Sequence, residues 1–344
     1  MNWNKLLTAL LIAFVAIALS SAAASAKELK IQLVYPETSS VADNTKYFKK
    51  LVSEYTDGEV TIKIHYPGQL VKGKEGLTAM QRGMIQGYVG SMLYFSGTIP
   101  EVNGEWLPYS WRNVSEAMDI YYNYGYLELM RDAVDDHGAY YVAPISVASM
   151  GLMTKFPIRS LDDLKGKKIR AVGMESKIVE ALGAASLTIS GAEQYSALQR
   201  GTVDGTDYPW YTLEDYKFHE VVDYISTPPL HKPGIVEIVL SQDAWNSLSS
   251  EQQQAVQEAG WKTAIHSARL GKFNDVDAYK FAKEKGVENI ELSQEALSNF
   301  KEATAPLYKN HMEDSDLCAK QVEILGEYFQ KLGESNHPSV KAIQ

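Results

Sequence analysis

The residues with the clearest chemical potential are few. Arg170 stands near the end of an apolar run, Lys168-Ile169-Arg170-Ala171-Val172, and the loop Gly173-Met174-Glu175-Ser176 then opens a helix. A planar guanidinium at the carboxyl end of a strand can hold a carboxylate through two parallel hydrogen bonds. The start of the following helix would offer backbone N–H groups to the same anion. The alternative is a solvated basic turn, because Lys165, Lys167 and Lys168 lie beside Arg170. A second group is Asp207-Tyr208-Pro209-Trp210-Tyr211, whose aromatics could wall an apolar pocket or pack in a core or hinge. The third is Glu237, set inside Ile235-Val236-Glu237-Ile238-Val239-Leu240. Burying a carboxylate unpaired is costly. Glu237 should therefore face a cation, a metal or a cleft, unless its strand is an edge with Glu237 in water.

Covalent chemistry has little support. The chain has no G-x-S-x-G elbow, no Walker loop and no G-x-G-x-x-G. His219-Glu220-Val221-Val222-Asp223 begins like a zinc-protease motif, but Asp223 stands where the second His belongs, and the segment reads as a solvated helix face. The histidines are scattered and Cys318 is the only cysteine, which leaves no intramolecular disulfide and no structural zinc site. A net charge of −10 argues against nucleic acid as a partner. What remains is recognition of a small molecule, with no cofactor required.

The elements that must position these residues follow from periodicity. Residues 1–26 hold Lys5, the uncharged run Leu6 to Leu19, and a small-residue stretch ending Ala24-Ser25-Ala26, which reads as a cleaved secretory signal peptide. Leu29, Ile31 and Leu33 alternate as a strand, Phe48 to Tyr55 has helical spacing, and Val60, Ile62 and Ile64 alternate again. Strand, helix, strand at this spacing predicts a parallel pair with a right-handed crossover. Further helices are expected over 74–86, 115–135, 176–182, 193–200 and 213–222, and strands over 88–92, 140–145, 151–155, 168–172, 202–208 and 235–240. Asn103 to Asn113 suits neither period and reads as an ordered loop. Ser249-Ser250-Glu251 opens a long helix, with Ser at the cap and an acid in the first turn. The chain after the leader is long enough for two lobes. The division expected is 27–150 for the first lobe, joined by about 236–270, 151–235 for the second, and 271–344 as C-terminal helices packing on both. Sites in such an α/β protein lie at the carboxyl ends of parallel strands, in the cleft between lobes.

Several segments, in order along the chain, resemble one family. They are Tyr55-Thr56-Asp57-Gly58-Glu59-Val60, Tyr66-Pro67-Gly68-Gln69-Leu70 (one residue shorter than the family's Y-P-x-G-Q-L), Ala79 to Gly83, Leu107-Pro108-Tyr109, Pro157 to Arg170, and Tyr195 to Gly205. Together they resemble the dicarboxylate-binding class of solute-binding subunits of tripartite ATP-independent periplasmic (TRAP) transporters. The resemblance implies a Venus-flytrap fold, two α/β lobes with mixed sheets and a long helix spanning both. It also implies a periplasmic location, a small organic acid as ligand, and small and large membrane subunits as partners. Arg170 matches the family's carboxylate-clamping Arg. Ser39, Ser40 and Tyr94 of the first lobe and Ser149, Tyr208 and Trp210 are expected to complete the ligand site. The family's second ligand Arg is missing from Ser149 to Thr154, which argues against a sialic-acid-like ligand. A carboxylate is expected, with 2-oxo, aromatic and sulfonated acids all compatible. Members that bind 2-oxo acids hold a metal at positions roughly matched by Asp207, Glu237 and Ser149. A divalent cation or sodium at Asp207 and Glu237 is therefore an expectation to test. The ligand-binding component of an ABC importer or of a sensor, or a periplasmic enzyme, stay as alternatives.

Overall fold

The computed structural model describes residues 26–344. The signal peptide expected over 1–26 lies, apart from Ala26, outside the described residues. Eleven strands form: β1 (Lys27–Leu33), β2 (Val60–His65), β3 (Gly87–Gly90), β4 (Ala139–Ser146), β5 (Met150–Thr154), β6 (Lys168–Arg170), β7 (Ala185–Leu187), β8 (Gly205–Pro209), β9 (Tyr224–Thr227), β10 (Ile235–Ser241) and β11 (Glu288–Glu291). They make two sheets, ordered β2-β1-β3-β10-β4 and β11-β9-β5-β8-β6-β7. β1 is parallel to β2 and β3, as the opening strand–helix–strand pattern requires. β10 runs antiparallel between β3 and β4, and β5 runs antiparallel to β8 and β9, so both sheets are mixed. Each sheet carries one α/β lobe. Among the described residues no helix is long and apolar enough to cross a membrane.

The helix Ser250–Lys285 links the lobes. Ser249 and Gln252 cap its start reciprocally, and Gly286, at φ 79°, ends it in the left-handed region that a side chain disfavours. Its 36 residues reach about 54 Å at 1.5 Å per residue, enough to follow β4 and then deliver the chain to β11. Its buried face is built of small residues, among them Ala259, Gly260, Thr263, Ala264, Ser267 and Gly271. They let the helix lie close on the sheet. A Cβ on Gly260 would sit 2.8 Å from Val142 Cγ1.

Three sequence expectations are corrected. The helix expected over 115–135 is two helices, Val114–Asn123 and Tyr126–Asp135, because Gly125 adopts φ 79° between them. The helix expected over 74–86 is a short 3-10 turn and Gly76–Gln81, ended before the positive φ of Gly83. The helix expected over 213–222 shrinks to Thr212–Asp215, broken by Lys217 at φ 56°. His219 and Glu220 then fall in a single 3-10 turn that stops before Asp223, so the zinc-protease-like segment is not one helix face. The strands β7, β9 and β11 have only three or four residues each, too few for a period to show.

One glycine matters to the site. Gly205 starts β8, and a Cβ there would lie 2.6 Å from Thr154 Cγ2 and 2.8 Å from the Met153 carbonyl oxygen. The second contact is backbone and cannot swing away. Gly205→Ala is expected to lower unfolding stability by about 1–3 kcal/mol, as overpacking does. Urea unfolding would measure it, and an unchanged midpoint would show that β5 and β8 can part locally.

Candidate functional site

Arg170 ends β6, between β7 and β8, with only 3 % of its surface exposed. The basic-turn reading is thereby excluded: Lys165 is solvated, whereas Arg170 points into the protein. Each arm of the guanidinium has a partner. Nε donates to the Ile189 carbonyl at 2.9 Å, Nη2 to the Tyr94 hydroxyl at 3.4 Å, and Nη1 to Glu175 Oε2 at 3.3 Å and the Asp207 carbonyl at 3.5 Å. Its carbon lies over the Tyr208 ring, 5.1 Å from the centroid. A cation stacked on an aromatic face and held by two neutral carbonyls keeps donor capacity for an anion.

Tyr94 joins the lobes. It sits in the 3-10 turn Met92–Phe95 beside β3, and its hydroxyl also accepts from the Gly191 N–H at 3.2 Å. Between the lobes lies a cavity of about 20 Å³, lined by Arg170, Glu175, Tyr35, Ser91, Tyr94, Trp106, Val147, Met150, Val172, Tyr208, Pro209 and Val236. That is room for about one water, so the lobes are closed on each other. A much larger groove, about 740 Å³, lies on the outer face among Tyr109, Trp111, Arg112, Lys232, Lys301 and His337. It is open, and it lacks the buried clamp. The small inter-lobe cavity has the chemistry, and volume alone does not override that.

The cavity brings together Arg170, Tyr94 and Tyr208 from the sequence expectations and leaves Ser39, Ser40, Ser149, Trp210, Asp207 and Glu237 outside its lining. Ser39 caps the helix Ser40–Tyr55: it accepts from the Ala42 N–H and donates to the Pro36 carbonyl at 2.7 Å. Ser40 Oγ accepts from Asn274 at 3.0 Å, and the Ser40 N–H serves the Asp215 carboxylate of the other lobe. Ser149 gives both its N–H and its hydroxyl to Asp275 of the long helix, each at 2.8 Å, and so fixes the crossing from β4 to β5. Trp210 packs edge-on against Tyr279, with ring centroids 5.2 Å apart. These four work at caps and crossings, where their polar atoms or rings are already engaged.

Asp207 and Glu237, expected to share a cation, stand in different sheets. Glu237 is fully buried in β10, an interior strand, which excludes the edge-strand reading. Its Oε2 accepts from the Met92 N–H at 2.7 Å, and its carboxyl lies within hydrogen-bonding reach of Glu105. Burial and the Glu105 charge push Glu237 well above the usual carboxylate range. Burial raises Glu105 to about 7, against hydrogen bonds from Tyr121 and Tyr141 that pull the other way. Asp207 lies in the other sheet. Its carboxylate is fully buried without a hydrogen bond among the described residues, and His231 Nε2 lies 3.6 Å from it. Among the described residues no three metal-ligating side chains converge. The donors around Asp207 alone are fewer than the six to eight oxygens calcium takes.

Sequence reasoning missed Tyr35, Ser91, Trp106, Val147, Met150, Glu175, Pro209 and Val236 in the cavity wall. Glu175 had a signal, since it stands five residues after the clamp in the loop that opens the helix. Its Oε2 accepts from the Val172 N–H at 3.0 Å, taking the place at the helix start foreseen for a ligand anion. Burial raises Glu175 to about 8, with Arg170 pulling it down and Asp207 pushing it up.

Two α/β lobes closed over a buried arginine define a bilobal solute-binding protein. The model of the bacterial extracellular solute-binding protein family 7 matches residues 32–315, and the chain belongs to that family. It is a solute-binding subunit of the TRAP type, as the sequence motifs implied, in a family of binding proteins and not of enzymes. It is 28 % identical over 232 residues to the monocarboxylate 2-oxoacid-binding periplasmic protein of Nostoc sp., covering 67 % of this chain and 62 % of the relative. It is 25 % identical over 267 residues to the C4-dicarboxylate-binding periplasmic protein of Rhodobacter capsulatus, covering 76 % of this chain and 79 % of the relative. A TRAP solute-binding protein of Pseudoalteromonas atlantica, solved with sodium and pyruvate, superposes with a TM-score of 0.82 at 20 % identity, covering 90 % of this chain and 95 % of that one. One from Desulfovibrio salexigens, solved with orotic acid, gives a TM-score of 0.82 at 22 % identity, covering 88 % and 99 %.

Proposed function

We propose that this protein captures a small organic acid in the periplasm and hands it to the membrane subunits of a TRAP transporter. The observation that carries this reading is the burial of Arg170 at the carboxyl end of β6, facing the inter-lobe cavity. Outside the closed state a ligand's carboxylate or sulfonate meets a guanidinium already oriented by Ile189 and Tyr208. Closure brings Tyr94 onto the clamp and excludes water, which strengthens the ion pair. The aromatic walls suit a ligand with an apolar or unsaturated body. The ligand leaves unchanged, as expected in a family of solute-binding proteins.

Relatives named for 2-oxo acids and C4-dicarboxylates support an acid as ligand. A cation, where used, would rest on Asp207 and would need oxygens from the ligand or water to complete it. Glu237 would not take part. A thermal-shift panel of organic acids tests the reading. A ligand at a hundred times its Kd adds about 2.7 kcal/mol of stability. We expect at least one acid to give such a shift and EDTA to leave it unchanged. A panel without any stabilising acid contradicts the proposal. Loss of the shift in EDTA would instead place a divalent cation in the site.

A further inference from the structure

Arg170 and Glu175 are the two charged residues in the cavity wall, and they have opposite signs. Glu175 Oε2 is fixed by the Val172 N–H and by Arg170 Nη1. Its other oxygen, Oε1, has no hydrogen-bond partner among the described residues, yet it is not among the fully enclosed orphan atoms. Glu175 lines the cavity, and with Oε2 engaged Oε1 is the oxygen free to meet a ligand there. An arriving anion thus meets its clamp already engaged by a carboxyl, with a free carboxyl oxygen beside its own. Two carboxylates sharing one dry site cannot both stay ionised.

We propose that Glu175 is a neutral ligand-binding residue: the Glu175 carboxyl carries a proton when the organic anion is bound, taking it up with the ligand only in alkaline solution, and donates from Oε1 to the ligand's acidic group. Arg170 and Glu175 then grip one anionic group from two sides, and the filled cavity carries no net charge from these three groups. This rests on the organic-acid reading above. The surroundings fit a neutral Glu175. Around it stand Arg170 from β6, Asp207 and Tyr208 from β8, and Tyr35 and Tyr94 from the first lobe, with His231 behind Asp207. The single cation is opposed by the Asp207 carboxylate and by burial, and even before an anion enters these hold Glu175 at about 8. A bound anion pushes the same way, so the liganded value is higher still. The sign for binding follows: affinity is greatest where Glu175 is protonated in both states and falls as pH rises past its value in the free protein.

Calorimetry on the mature protein tests this, with acetate, propionate, lactate, pyruvate, benzoate and the matching sulfonates as probes. The tightest probe is titrated between about pH 6 and about pH 9. Its affinity is expected to hold up to about pH 8 and to weaken above it, approaching tenfold per unit, where buffers of different ionisation enthalpy should report proton uptake. Glu175→Gln, the same size and permanently neutral, is expected to bind within about threefold of wild type at the acidic end. It should lose the pH dependence, and circular dichroism would verify its fold. Pyruvate and lactate report on a ligand donor. If Glu175→Gln weakens binding while wild-type affinity is flat with pH, Glu175 acts as an anion towards a donor on the ligand. That overturns the proposal and leaves the organic-acid reading standing. If no probe binds even at the acidic end, both fail.

Discussion

Replacing Arg170 with alanine is expected to abolish the thermal shift given by any organic acid that stabilises the wild type. The guanidinium is the one cation in the cavity wall, and it is buried. Removing one partner of a buried, hydrogen-bonded charge pair costs about 2–5 kcal/mol, or roughly thirty- to several-thousandfold in affinity. Arg170→Lys should not rescue it. An ammonium is a point charge and cannot hold the Ile189 carbonyl, the Tyr94 hydroxyl and a ligand carboxylate in one plane. The fold should survive Arg170→Ala, because Glu175 keeps the Val172 N–H and can carry a proton. A shift that persists in a folded Arg170→Ala protein would show that the acid binds elsewhere.

The second large effect concerns the pair behind the cleft. Glu105 Oε1 accepts from the Tyr121 and Tyr141 hydroxyls, the latter at 2.6 Å. Among the described residues its Oε2 and Glu237 Oε1 have no hydrogen-bond partner. One proton shared between them satisfies both. Both groups titrate higher folded than unfolded, Glu105 at about 7. Above the ordinary carboxylate value the folded state therefore binds more protons than the unfolded one. The resulting stability is fully present at acidic pH and is lost as pH rises to about 7, on the order of 3 kcal/mol. We expect the melting temperature of the free protein to fall from about pH 5 to about pH 8. Glu175, raised for the same reason, adds to the fall. Glu105→Gln keeps an acceptor for the two tyrosines and offers an amide N–H to Glu237. It should flatten much of the slope and raise stability at the alkaline end. An unchanged slope would show that the pair does not share a proton.

These two sites differ in how far the sequence revealed them. Arg170 was legible because its position is local: a strand, its end and the loop beyond lie in nine consecutive residues. Glu237 was legible as an anomaly, a carboxylate in an apolar run, but its partner was not. Glu105 is brought to it by β10 entering antiparallel between β3 and β4, a pairing no periodicity reports. Ser149 and Trp210 had the right chemistry for a ligand and the wrong direction. Asp275 takes the first and Tyr279 the second, both on the long helix, far along the chain and from across the crossing in space. Side-chain direction at a crossing depends on what packs behind it. Tyr35, Met150 and Val236 entered the cavity wall in the same way, as ordinary apolar positions until closure opposed them. The long helix was readable from its Ser249 cap, whereas the break at Gly125 was not, because the apolar spacing continues through it.

On this reading an organic acid binds between the lobes at Arg170. A crystal structure of the mature protein with the most stabilising acid tests it most directly. We expect the ligand's acidic group on the Arg170 guanidinium, at charge-assisted hydrogen-bond distances of about 2.7–2.9 Å, with Glu175 and Tyr94 beside it. An acid seated instead in the outer groove by Lys232, Lys301 and His337, with the inter-lobe cavity still closed on itself, would contradict it.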